Sequence, residues 1–214
     1  MSITSEQNEA AASSFLEQAE ERFGGSGVTV SIEHHSNAVK FAFVRMTCPP
    51  QHWVALAKWM RFDAGINYCS MVTGTHYPEG GDRTWRLAYH FMRQPVRDVV
   101  PFTSDVLKAE SLEGMDIPLE VEVLIDLPDG REPSVPSVQS VWIGADWNEK
   151  ETWDLVGIQF EGHENMHRVL NPHDSPEGFH PLQKQHKIRY HDYNEMYDDA
   201  QGFVRKPADE GRVK

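Results

Sequence analysis

The segment Leu119 to Leu127 reads LEVEVLIDL, with Leu119, Val121, Val123 and Ile125 alternating against Glu120, Glu122 and Asp126. A period of two sends successive side chains to opposite faces, so this is a strand with one face buried and the other wet. Such a strand needs neighbours and a covering layer, and the chain supplies both. Val28, Val30 and Ile32, then Val39, Phe41 and Phe43, flank an HHSN turn and predict a hairpin. Asn67 to Val72 and the alternating Trp85, Leu87, Tyr89 and Phe91 predict two more strands. A helix over residues 5–23 carries Ala10, Phe15, Leu16, Ala19 and Phe23, with Ser5 as its cap, Asn8 three positions on, and GGSG as its stop. Pro49-Pro50 opens a second helix, in which Trp53, Leu56, Ala57 and Met60 share a face.

These elements predict an α+β fold, a mostly antiparallel sheet with packed helices. Residues 1–27 form an N-terminal helix and linker, and 28–170 the α+β domain. Within it VRDVVPF contributes strand formers, and DLPDGREPSVPSV is a Pro-rich loop. From residue 171 to 214 no period persists, yet Phe179, Leu182, Ile188, Tyr190, Tyr193, Met196, Tyr197 and Phe203 remain as anchors. A segment of this kind cannot offset its own ordering entropy, about 1–2 kcal/mol per residue. It is therefore expected to be an extended C-terminal arm ordered on a larger surface; a tail wrapping its own domain is the competing reading.

Several function classes drop out. Acids outnumber Lys and Arg by 33 to 20, for a net charge of −13, and no basic stripe offsets this; nucleic acid is not an expected partner. The N-terminus lacks the pattern of a secretory signal, and no apolar run approaches the roughly 20 residues of a membrane span. The two cysteines, Cys48 and Cys69, form no CxxC, and an iron–sulfur cluster generally takes four thiolates. Both are expected as buried thiols, and no Gly-rich phosphate loop follows a strand.

The densest chemistry lies in ADWNEKETWDLVGIQFEGHENMHRVLNP, residues 145–172. Asp146 with Glu149 fits a capping box, a helix runs from Trp147 to about Val156, and Gly157 stops it. Trp147, Glu151 and Asp154 follow i, i+4, i+7 spacing and share a face. Ile158 and Phe160 then predict a short strand, and a short helix after Gly162 would place His163 and His167 one turn apart. Glu151 and Asp154 could act as acid and base, but no nucleophile accompanies them. HENMH fits the zinc-hydrolase pattern, with His163 and His167 as ligands, Glu164 activating water, and a third ligand from His173, His180, His186, His191 or an acid.

The same stretch resembles a family signature, E-R-E-x-x-D, an aromatic residue, G-I-x-F-x-G-H-P and L-R-R-I-L, of the respiratory complex I 30-kilodalton subunit, the C component of NADH-quinone oxidoreductase. Glu149, Glu151, Asp154, Gly157, Ile158, Phe160, Gly162, His163, Arg168 and Leu170 match it. PSVPSVQSVWIGADW is similar to its lead-in, and Gly178 to Leu182 with Lys184 to its G-x-P-L-R-K-D segment. Lys150, Val156, Glu164, His167, Gln183 and Gln185 depart from it. The Asp-Trp lead-in and VLNPHD resemble the photosynthetic J component, whose complex is fed by ferredoxin, somewhat more closely.

The resemblance implies a cofactor-free structural subunit in the peripheral arm of a complex I-like, proton-pumping quinone oxidoreductase. Its place would be at the cytoplasmic face of the membrane, held there only through the complex. Its partners would be the quinone-site (49 kDa-like) subunit and iron–sulfur subunits, which would carry out electron transfer. Its interface residues would be Trp147, Glu149, Glu151, Asp154, His163, Arg168, Phe179, Leu182 and Lys184, with Trp153 as a further packing anchor. The equivalent subunit of a membrane-bound energy-converting hydrogenase is the alternative within the family, and a zinc-dependent hydrolase the alternative outside it.

Overall fold

The structure, a computed structural model, describes residues 4–37, 40–79, 83–94, 117–130 and 132–184. In chain order it contains α1 (Ser5–Phe23), β1 (Thr29–His34), β2 (Ala42–Thr47), a 3-10 turn (Pro50–His52), α2 (Trp53–Phe62), β3 (Tyr68–His76), β4 (Trp85–Arg93), β5 (Leu119–Leu127), β6 (Ser134–Pro136), α3 (Ala145–Val156) and β7 (Gln159–Glu161). Five strands form one sheet in the order β1-β2-β5-β4-β3. Three of its pairings are antiparallel, and β2 with β5 is parallel. The α+β fold with a mostly antiparallel sheet is thus the one observed. The Pro-rich loop differs from expectation, because Ser134–Pro136 pairs in parallel with β7. VRDVVPF lies outside the described residues.

The alternation in β5 does what its period requires. Leu119, Val121, Val123, Ile125 and Leu127 are buried, beside Trp85, Leu87, Tyr89 and Phe91 of β4. Trp53 of α2 covers Tyr89 and Phe91 at ring separations of 4.6 and 6.1 Å, and Phe15 of α1 meets Trp59 at 5.2 Å. On the opposite face the acids of β5 find cations across the ladder. Asp126 accepts two hydrogen bonds from Arg86, at 2.6 and 2.8 Å, and Glu122 pairs with Arg45. Among the described residues no helix is long and apolar enough to cross a membrane.

Residues 4–27 join this same core rather than standing apart, with Ala12, Phe15 and Ala19 almost fully buried. Thr4, not Ser5, caps α1 in a reciprocal box with Gln7. Asn8 turns inward, and its Oδ1 accepts from Ala42 N at 2.7 Å, which pins the helix to β2. Both cysteines are buried, and burial pushes each thiol up to about 12.

Helix α3 lies against β3 at its closest approach to the sheet. Thr152 Oγ1 donates to Val72 O at 3.0 Å. A Cβ placed on Gly74 would stand 2.9 Å from Thr152 Cγ2, 3.1 Å from Ile158 Cδ1 and 3.3 Å from Val156 Cβ. Overpacking at such a seam costs about 1–3 kcal/mol. Gly74→Ala should therefore lower stability to chemical denaturation by roughly that amount. Adding Thr152→Ser, which removes the nearest methyl and keeps the hydroxyl, should restore part of the loss; no restoration would place the strain elsewhere.

Candidate functional site

Helix α3 begins at Ala145 with Gly144 at its N-cap and no side-chain cap. Asp146 therefore sits inside the first turn and Glu149 lies too far along to close a capping box. Glu149 is instead fully buried, accepting from Ser137 Oγ at 2.5 Å and Val138 N at 2.9 Å. Burial outweighs these bonds and pushes its carboxyl up to about 7. Lys150, also buried, donates to Asp146 at 2.9 Å.

The other end of α3 is organised by Asp154. Its side chain is fully buried. One carboxylate oxygen accepts from the backbone N–H groups of Val169, Leu170 and Asn171 at 3.0, 2.9 and 2.8 Å. The other accepts from Arg168 Nη1 at 2.7 Å and Asn171 Nδ2 at 2.9 Å. Burial alone would raise this carboxyl; the bonds from Asn171, Leu170 and Arg168 overcome it and hold the group well below the ordinary range.

A helix leaves its last four carbonyls without partners of its own. Here Gly157 N takes Trp153 O at 2.8 Å, and Asn171 Nδ2 and the His180 ring both reach Asp154 O at 3.0 Å. Leu182 N donates to Leu155 O at 2.9 Å, and Gln183 Nε2 to Val156 O at 2.8 Å. Gly157 carries a φ of +90°, and a Cβ there would come within 2.7 Å of both Gln183 and His180, so two constraints require glycine. Arg168 also donates to the carbonyls of Phe179 and Pro176, and its guanidinium lies 5.6 Å from the Trp153 ring. Residues 168–184 thus lie back on α3. Lys184 ends this run with its N–H on His76 Nδ1 at 3.2 Å. The remainder of the expected arm, 185–214, lies outside the described residues.

The expected site residues separate into two groups. Glu149, Asp154, His163 and Arg168 make their described bonds inside the chain, and Phe179 and Lys184 take part through their backbone. Trp147 and Leu182 face outward, each 53% exposed, beside Leu170 at 54% and Ile143 at 93%. Trp147 is braced by its indole N–H on Glu151 at 2.7 Å. The short helix expected after Gly162 is absent: residues 162–171 run as turns and bends. The two His of HENMH therefore share no helical face. The His163 ring accepts from Asn165 N on Nδ1 and turns Nε2 toward Asp146, while His167 Nδ1 contacts Asn165 O. Among the described residues no group of three His, Cys, Asp or Glu is arranged to hold a metal ion. Pattern reading missed Asn171, His180 and Gln183 as caps, since nothing in their spacing links them to residue 154.

Residues 46–192 match the family model described as respiratory-chain NADH dehydrogenase, 30 Kd subunit. The C component of the NADH-quinone oxidoreductase of Chloroherpeton thalassium is 34% identical over 143 residues, 65% of this chain and 49% of that protein. The J component of the NAD(P)H-quinone oxidoreductase of a Synechococcus species is 43% identical over 81 residues, 37% of this chain and 44% of its own. The chain thus spans about half the length of these relatives. A chain of the membrane-bound sulfane sulfur reductase, an archaeal respiratory membrane complex, shares the fold with a TM-score of 0.59 at 15% identity, covering 91% of this chain and 93% of that one.

Asp154 and Glu149 should respond to pH in opposite senses. Asp154 is depressed, so its stabilisation is present above the unfolded carboxyl value of about 4 and drains as pH falls through the folded value. Glu149 is raised to about 7, so its contribution is full below the unfolded value and disappears as pH rises through about 7. Urea titrations should show Glu149→Gln flattening the loss of stability between about pH 5 and 8. Asp154→Ala should cost about 3–5 kcal/mol at neutral pH because it strands Arg168. An unchanged slope in the first variant or a loss below about 1 kcal/mol in the second would contradict these assignments.

Proposed function

The chain belongs to the respiratory-chain NADH dehydrogenase 30 kDa subunit family, and from that premise we propose that it is a cofactor-free structural subunit of a complex I-like, proton-pumping quinone oxidoreductase. In this reading it sits in the peripheral arm at the cytoplasmic face of the membrane. It lies beside the quinone-site subunit and iron–sulfur subunits, and electron transfer belongs to them.

The observation that carries this reading is how the signature residues are used. Asp154 and Arg168 of the signature are bonded to each other, and Asp154 is bonded in turn to Asn171 and His180 at the helix end. A buried carboxylate saturated by five donors is a poor proton shuttle and a good structural anchor. Among the side chains left outside are three large apolar ones, Trp147, Leu170 and Leu182. Tryptophan is among the side chains that most often anchor contacts between proteins. The two thiols, buried and both pushed up to about 12, are poorly suited to cluster ligation.

Purification of the chain from its own membranes should bring down the quinone-site and iron–sulfur subunits; recovery as a lone monodisperse protein would refute the proposal. Trp147→Ala, which leaves the Asp154 cap untouched, should reduce incorporation by about 30-fold, as expected for an interface anchor worth about 2 kcal/mol. The variant's own melting temperature should stay near that of the parent chain.

A further inference from the structure

The two edges of the five-stranded sheet are finished differently. At β3 the edge is bulged between Cys69 and Met71, and α3 lies on it with Thr152 Oγ1 on Val72 O at 3.0 Å. The other edge, β1, keeps an unbroken register with β2 and holds no Pro or Lys, residues that often blunt an edge. In an antiparallel ladder only alternate residues bond the partner strand. His35 N donates to Phe41 O at 3.0 Å, and Ala42 N turns away from β1 to Asn8 Oδ1, so the residues bonded to β2 are Thr29, Ser31 and Glu33. The N–H and C=O groups of Val30, Ile32 and His34 therefore point off the sheet, and they have no hydrogen-bond partner among the described residues.

Helix α1 runs along the covered face of this edge. Val30 and Ile32 pack against the core, and Glu9 reaches His34 at 2.8 Å, which identifies the flank of α1 that looks out over β1. At roughly 100° per residue, Glu6, Glu17 and Glu20 fall within about 80° of Glu9 around the helix, with Leu16 among them. Those three acids are exposed, and Leu16 is half-buried. Arg22, the one base of α1, lies about 140° round from Glu9. Arg45 of the adjoining strand is already bound to Glu33 and Glu122.

We propose that the β1 edge is a strand-addition site for an extended segment of a neighbouring subunit, one that alternates apolar residues with Lys or Arg. The proposal rests on the reading of the chain as part of a larger complex and adds the chemistry of a partner. The outward N–H and C=O groups of Val30, Ile32 and His34 would bond the added backbone, as in other strand-addition complexes. Its apolar side chains would extend the row of Val30 and Ile32 toward Leu16, and its bases would meet Glu6, Glu17 and Glu20. Charge selects this occupant over two others. A second copy would set one acidic flank against another, and residues 95–116 of this chain hold Asp98, Asp105, Glu110, Glu113 and Asp116 against only Arg97 and Lys108.

Amide hydrogen exchange resolved to single residues, on the isolated full chain and on the assembled complex, tests the geometry. The amides of Ser31 and Glu33, bonded to β2, should be slow in both. Those of Val30, Ile32 and His34 should be fast in the isolated chain and slow in the complex. Protection of these three in the isolated chain would mean that the chain covers its own edge, and fast exchange in the complex would mean that nothing covers it; either overturns the proposal. The chemistry is tested by Glu17→Lys with Glu20→Lys, both at exposed positions, which should lower retention of the chain in the complex by about tenfold at low salt and by less at high salt. Unchanged retention would exclude a basic occupant. If the chain co-purifies with its partners and only these results fail, its membership of the complex stands and this edge is not its contact.

Discussion

The carboxylate of Asp154 is the interaction on which the rest of this end of the molecule depends. A fully buried anion is tolerated only if its oxygens are saturated, and here five donors converge on the two of them. Three of those donors are consecutive backbone N–H groups, so the charge dictates the path of residues 169–171. Once that path is set, Arg168 can reach Phe179 O and Pro176 O, and the chain returns to cap the helix. Residues that form no helix or strand acquire a defined course from one charged side chain.

That cap also bears on the sheet. The same helix touches β3 at Gly74, where there is no space for even a methyl group. The C-terminal half of α3 is thus gripped from two sides, by the strand and by the returning chain. Two departures from the family signature fit this local geometry, whereas Val156, standing where the signature has an aromatic residue, has no structural explanation. Gln183 stands where Arg is usual, and its amide suffices to satisfy Val156 O. Lys150, in place of Arg, needs to reach only one oxygen of Asp146.

Much of the fold was legible because burial follows period. In β4 and β5 each second residue is buried, and the acids between them are paired across the ladder, so alternation translated directly into faces. The helix stop at Gly157 was legible for the same kind of local reason. The site was less so. Trp147 and Asp154 do share an azimuth on α3, yet one is half exposed and the other fully buried. Period gives the direction a side chain points, whereas burial depends on what covers that direction along the axis. Residues 168–183 cover only the last turns of the helix. The HENMH stretch failed similarly: two His at the right spacing imply a shared face only on a helix, and Gly162 with a φ of +78° precedes turns instead.

The densest motif of the chain is devoted largely to its own shape. Catalysis would need a reactive group with free valence facing a cleft. In this domain the strongly perturbed carboxyls, Glu149 and Asp154, are both sealed and both bonded. Perturbation therefore marks architecture rather than reactivity, as structural networks often do. The outward residues near α3 include large apolar side chains, Trp147, Leu170 and Leu182, of which Trp147 is braced by its indole N–H on Glu151. Such surfaces lose little conformational entropy on docking, so a modest contact area can be held firmly. The internal charges make the frame stiff, and under the proposed reading that stiffness gives the exposed tryptophan and leucines a fixed arrangement for a neighbour to match.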